Sequence, residues 1–205
     1  MDYYYAYEER ETAKKSGGKP TKKESFFEWI DVVVASVIAV VFIFTFLFRI
    51  VTIDGDSMLN TLVDGERVII TNVAYTPKRG DIVVISRNTD NSLNPETYEE
   101  PIIKRVIAVA GQTVDIDYEE GVVYVDGVAL KEDYTRTLTT LRHENEIDFP
   151  AYVPENCVFV LGDNRNYSLD SRSKHIGENG MIDERYILGK AVFRIAPMSK
   201  IGGLY

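Results

Sequence analysis

One stretch governs what this chain can fold into. From Trp29 to Val51 it reads WIDVVVASVIAVVFIFTFLFRIV, and its only charges, Asp31 and Arg49, stand close to its ends. Ile30 to Phe48 is 19 residues, about 28 Å of helix at ~1.5 Å per residue, enough to cross a bilayer core. A cleaved signal has a shorter apolar region ending in small residues, whereas this one ends Phe46, Leu47, Phe48. A core helix carries a polar face, and this segment has none. The expectation is a transmembrane helix over 29–50, with a cytoplasmic tail at 1–28 and a folded domain at 51–205.

The flanks set the orientation. Arg10, Lys14, Lys15, Lys19, Lys22 and Lys23 precede the span, while Arg49 stands alone after it until Arg67. The positive-inside rule puts the N-terminus in the cytoplasm and the rest outside the cell membrane, a single-pass arrangement. A formal net charge of −9 argues against nucleic acid as a partner. Cys157 is the single cysteine, which excludes an intramolecular disulfide. With two histidines besides, a structural zinc site has too few ligands, and no metal or cofactor is expected.

Beyond Val51 short β-type runs alternate with turn signals. The runs are RVIITNV (67–73), DIVVIS (81–86), IIKRVIAVA (102–110), GVVYVDG (121–127), CVFVLGD (157–163) and KAVFRI (190–195). Between them lie Pro77-Lys78-Arg79-Gly80, Asn94-Pro95, Asp126-Gly127 and Gly162-Asp163-Asn164. The pattern predicts a mostly β domain of antiparallel strands. The more polar stretch from about 115 to 150 reads as a small β insertion.

Three places could carry chemistry. Gly55-Asp56-Ser57-Met58 puts a serine in a glycine-containing turn at a strand end, where nearby backbone N–H groups can face an oxyanion. A serine hydroxyl needs a base. His143 and His175 lie in polar or charged stretches and read as surface residues. Lys104 lies in Ile102-Ile103-Lys104-Arg105-Val106-Ile107, where alternation puts Lys104 on the face of Ile102 and Val106, opposite Arg105. Burial among apolar neighbours disfavours an ammonium, which ordinarily persists to ~10.4, and a neutral amine can take the serine proton. The third place is Gly162 to Arg172, GDNRNYSLDSR, directly after an apolar strand. Ser168 could hold the lysine amine, and a pair of Asp170 with Arg172 or with Arg105 could fix the loop.

Taken together these blocks resemble the type I (bacterial) signal peptidase family, in the compact form common in Gram-positive bacteria. Ser57-Met58 with Thr61-Leu62 is similar to the nucleophile box, and Lys104-Arg105-Val106 with Gly111 to the general-base box. Gly162-Asp163-Asn164-Arg165 with Ser168, Asp170, Ser171 and Arg172 is similar to the box beside the site. The resemblance implies that Ser57 is the nucleophile and Lys104 the general base. It also implies that Ser168 orients the amine and that Asp170, Arg172 and Arg105 are supports. Secretory preproteins would be the substrates, bound as an extended strand at the lipid surface. Ile53 and Ile103 would line shallow pockets for small side chains, with Gly55 and Met58 beside them.

Two positions depart from the family pattern: Asn60 stands where proline is usual, and Gly55 where some members have a serine that serves the oxyanion hole. A self-cleaving repressor-type Ser/Lys peptidase is the alternative enzyme, but the apolar span and the lack of a DNA-binding helix pair speak against it. A non-catalytic β module on a membrane stalk would have no need of Ser57, Lys104 and Ser168 together.

Overall fold

The computed structural model describes residues 22–86 and 101–204, without the side chains at 22–25, 27, 44 and 46. The basic tail before Lys22 and the expected Asn94-Pro95 turn lie outside the described residues. The chain divides into two compact units between Phe46 and Leu47.

The first unit contributes helix α1, Lys22–Leu47, of 26 residues. Val32, Val37, Ile38 and Phe42 are all exposed, on different sides of the helix. Ser36 and Thr45 turn their hydroxyls back onto the helix, donating to the Val32 and Val41 carbonyls at 2.7 Å, which leaves little polarity on the surface. Among the described residues no helix is long and apolar enough to cross a membrane.

The second unit is mostly β and antiparallel. Its main sheet runs β1 (Arg49–Thr52), β2 (Arg67–Thr71), β11 (Ile187–Ala196), β3 (Ile82–Ile85), β4 (Ile102–Val109), β9 (Cys157–Leu161) and β10 (Ile182–Asp183). A short β12 (Gly202–Gly203) pairs with β11. The four residues of β3 are buried throughout, as suits a central strand of β-branched side chains. Two cores form on the sheet. One gathers Ile53, Met58, Leu62, Val68, Ile82, Val84 and Ile103, and the other Val83, Ile85, Val106, Val158, Val160 and Ile187. Ile103 and Val106 fall in different cores, as strand alternation requires.

A second sheet is ordered β7 (Val128–Ala129), β6 (Val122–Val125), β5 (Thr113–Asp117), β8 (Ala151–Tyr152). Asp126 and Gly127, both at positive φ (53° and 75°), close the β6–β7 hairpin. The residues expected as an insertion, about 115–150, lie within this sheet and its connections. Its Val114, Ile116, Val123 and Val125 pack with Ile107, Ala108, Phe159 and Leu161 of β4 and β9. A register shift between Val106 and Ala108 in the β4–β9 ladder presents Ile107 and Ala108 to that core.

Candidate active site

β1 delivers the serine. Past Thr52 the chain stays extended, with Ile53 N–H donating to the Glu66 carbonyl and Gly65 N–H to the Ile53 carbonyl. Gly55 then takes a φ of +81°, which a residue with a Cβ adopts only with strain, and its N–H donates to Asp64 Oδ1 at 2.9 Å. This bend ends the strand and starts the turn that carries Ser57. The Leu59–Asn60 peptide in the same turn is cis.

β4 delivers the lysine. Lys104 is opposite Val83 on β3, while the β9 ladder begins only at Arg105 opposite Leu161. Where β9 leaves the sheet at Gly162, the Ile102–Lys104 edge opens toward the serine turn. Lys104 Nζ lies 2.8 Å from Ser57 Oγ, in hydrogen-bond contact, and donates to the Ile103 carbonyl at 2.9 Å. The lysine is 3% exposed. Such burial favours a neutral amine over an ammonium, and a neutral amine with its lone pair toward a hydroxyl can accept that proton.

The two residues face a cleft of about 740 Å³ lined by Val51 to Asp54, Asp64, Gly65 and Pro101 to Lys104. Ile53 and Ile103, the two residues expected in its pockets, both line it. Met58 does not. Its side chain is wholly buried in the core with Leu62 and Val68, because the turn after Ser57 points inward. Gly55 is also outside the lining, held back by Asp64.

The Gly162–Arg172 loop is buried except near Tyr167 and Leu169, which are exposed. Asp163, Asn164, Arg165, Ser168, Asp170, Ser171 and Arg172 are each at most 4% exposed. Asp170 pairs with Arg172 through Oδ1 and Nε at 2.8 Å and accepts from Gly162 N–H at 3.1 Å. Burial alone would raise the Asp170 carboxyl, but Arg172 and the Gly162 N–H hold it below the usual carboxylate range. Arg105 is not a partner of Asp170, because Asp163 lies nearer on the turn leaving β9. It forms a two-point pair with Asp163, Nε–Oδ1 2.8 Å and Nη2–Oδ2 2.6 Å. Its Nη1 donates to the Gly80 carbonyl at 2.8 Å, and its guanidinium lies 4.0 Å from the centre of the Tyr134 ring. Thr61 also donates to Asp163.

Ser168 sits beside Ser57 but does not hold the Lys104 amine. Its Oγ is buried without a hydrogen-bond partner, since Lys104 turns toward Ser57 and the Ile103 carbonyl instead. A Cβ built on Gly162 would lie 2.2 Å from Ser168 Oγ and 2.5 Å from the Ser57 carbonyl oxygen, so both press on one point. His175 is exposed, as expected. His143 is not a surface residue: at 24% exposure its Nε2 lies 4.0 Å from Asp170 Oδ1. Burial first, and then Arg172, hold its imidazole below the ordinary value.

Sequence reasoning about side-chain roles missed three partners. Asp163 and Asn164 stand in the quoted block, but nothing in their spacing says which carries the structure. Glu132, paired in two places with the buried Arg165 at 2.5 and 2.6 Å, comes from the supposed insertion and gave no local signal.

Comparison with known proteins gives the family. The model of the family described as signal peptidase, peptidase S26, matches residues 26–196. A signal peptidase I of Bacillus licheniformis is 35% identical over 191 residues, covering 88% of this chain and 94% of that one. A probable signal peptidase I-1 of Synechocystis is 39% identical over 158 residues, covering 74% and 73%. A crystal structure of a signal peptidase I from Enterococcus faecalis aligns with a TM-score of 0.41 at 27% identity, over 57% of this chain and 97% of that one. With the family model spanning most of its length, and relatives of 35% and 39% identity matched over 94% and 73% of their own length, this chain is a serine peptidase belonging to the signal peptidase (peptidase S26) family.

Proposed function

We propose that this protein cleaves signal peptides from exported preproteins, with Ser57 as nucleophile and Lys104 as the sole acid–base group, while α1 anchors it in the membrane. The observation that carries the dyad is the 2.8 Å contact between Lys104 Nζ and Ser57 Oγ at the wall of an open cleft. The neutral amine accepts the Ser57 proton as Oγ bonds to the scissile carbonyl carbon. The tetrahedral intermediate collapses as the resulting ammonium returns that proton to the leaving amine nitrogen. Water then loses a proton to the amine and attacks the Ser57 ester, and the proton passes back to Oγ as the signal peptide leaves with a new C-terminal carboxyl group. No histidine is required.

Substrate recognition follows from strand edges. β1 ends the main sheet, and Ile102–Lys104 lie beyond the reach of β9. An extended peptide entering the cleft can therefore pair its backbone with both edges. Ile53 and Ile103 leave apolar recesses for small side chains, and Lys104 waits at the scissile position. Asp170, Arg172, Arg105 and Ser168 hold the wall rather than touching substrate.

The anchor rests on α1 together with the sequence that continues it. Val32 to Phe48 carries no charge and has no polar face. Side chains as large as Val32, Ile38 and Phe42 are exposed along the helix, and lipid would cover them. The basic residues before the span put the N-terminus in the cytoplasm and the catalytic unit outside, where signal-peptide ends emerge.

The test is cleavage of a secretory preprotein by the full chain in lipid vesicles. Ser57→Ala and Lys104→Ala should each lose at least about a thousandfold in kcat/KM. Cleavage at the unaltered rate by either variant would sink the dyad.

A further inference from the structure

The nucleophile's own peptide group is held by one residue to which the reaction has so far given no role. Asn164 Nδ2 donates to the Asp56 carbonyl at 3.0 Å, and Asn164 N–H donates to the Ser57 carbonyl at 3.0 Å. These carbonyls belong to the two peptide units that flank Ser57, so a single residue grips the backbone on both sides of the nucleophile. Asn164 is itself 4% exposed. Its place is fixed by its neighbours: Asp163 is locked to Arg105, and Gly162 N–H to Asp170.

The Asp56–Ser57 peptide is the informative one. In a planar trans unit the C=O and the N–H point in opposite directions. Holding the Asp56 carbonyl against Asn164 therefore aims the Ser57 N–H away from Asn164, on the far side of the same plane. With Gly55 there is no side-chain hydroxyl two residues before the nucleophile, and the Gly55 N–H is occupied by Asp64. Among the described residues no acceptor takes the Ser57 N–H. The amide orientation matters too, because exchanging Nδ2 and Oδ1 would set one carbonyl oxygen against another.

We propose that Asn164 is a positioning residue that sets the plane of the Asp56–Ser57 peptide, so that the Ser57 N–H meets the oxygen that becomes negative in the tetrahedral intermediate. This rests on Ser57 being the nucleophile. A donor matters only if its direction is set before charge develops, and removing one such donor typically costs about 100- to 1,000-fold in kcat. Releasing the peptide that carries a donor, rather than deleting the donor, should cost less, about 10- to 100-fold.

Two variants of the full chain in vesicles test this. Asn164→Asp keeps the shape and loses the donated N–H, whereas Asn164→Ala loses it without adding charge. Each is measured for kcat, KM, the pH midpoint of kcat/KM, thermal unfolding, and inhibition by a substrate-derived peptide aldehyde that forms a tetrahedral adduct with serine. The expected result is kcat down about 10- to 100-fold in both, KM within about twofold, an unmoved pH midpoint, and aldehyde affinity reduced by the same factor as kcat. Unchanged kcat, or a fall in kcat with full aldehyde affinity, would overturn it. So would a moved pH midpoint, which would place Asn164 on the dyad. A variant that melts more than a few degrees early is judged on the aldehyde-to-KM ratio of its folded fraction, which a general loss of structure leaves unchanged. Ser57→Ala is the control. If it still cleaves, the dyad reading fails; if it is dead while both Asn164 variants work, only this inference fails.

Discussion

Gly162→Ala asks the most of the smallest change. The backbone at Gly162 does not require positive φ, so alanine has no intrinsic penalty there, and any effect comes from space. The added Cβ would meet Ser168 Oγ at 2.2 Å, Ser168 Cβ at 2.5 Å and the Ser57 carbonyl oxygen at 2.5 Å. Ordinary contacts begin near ~3.5 Å, so the two walls must part by about 1 Å. One wall is the main chain of Ser57, already held by Asn164 N–H. Overpacking of this kind costs about 1–3 kcal/mol, or about 2–12 °C in Tm for a domain of this size. The larger effect is on rate, since a displacement of ~1 Å at a reacting group can cost about 100-fold in kcat. Preprotein cleavage in vesicles, with thermal unfolding followed in parallel, reads both. The double variant Gly162→Ala/Ser168→Gly removes two of the three clashes and leaves the one with Ser57. It should regain stability while kcat stays low. Wild-type kcat in the single variant, or full recovery of kcat in the double, would refute the reasoning.

Other consequences follow from the buried charges. Asp163→Asn leaves Arg105 unpaired in a site where both partners are at most 3% exposed. The loss should be about 3–5 kcal/mol by urea unfolding, and a loss under 1 kcal/mol would mean the pair is not structural. Glu132→Gln should loosen Arg165 and, through it, the Gly162–Arg172 loop. Hydrogen exchange at that loop should quicken, and unchanged protection would contradict the link. His143 binds its proton more weakly in the folded than in the unfolded chain, so between its lowered folded value and ~6.5 the unfolded chain holds more protons. Stability should therefore fall as pH drops through that window, and His143→Gln should flatten the fall in Tm. Equal slopes in both proteins would exclude His143 as the cause.

Much of this was legible because strands announce themselves by period and composition. RVIIT, IVVI, IIKRVIAV and CVFVL all became sheet, and the alternation in β4 correctly set Ile103 and Val106 on opposite sides. Ser57 and Lys104 were legible as a pair only through the blocks around them. What escaped was partner choice among charges of equal type. Arg105 had two candidate aspartates on one loop, and the sequence cannot say that the turn leaving β9 brings Asp163 nearer than Asp170. Met58 was misplaced for a similar reason, since a turn residue next to a nucleophile can face the cleft or the core. The weak strands β5, β8, β10 and β12 exist because neighbouring strands complete them, and Glu132 reaches the site from a segment whose polarity reads as solvent-facing.

The central claim is that Ser57 attacks with Lys104 as its base, and trapping the acyl-enzyme tests it most directly. A peptide ester with a slowly hydrolysed acyl group would be mixed with the full chain, and the modified residue located by mass spectrometry. The account predicts one acyl group on Ser57, formed rapidly in the unaltered protein and at least about a thousandfold more slowly in Lys104→Ala. An acyl group on another residue, or one that forms on Ser57 at the same rate without Lys104, would contradict it.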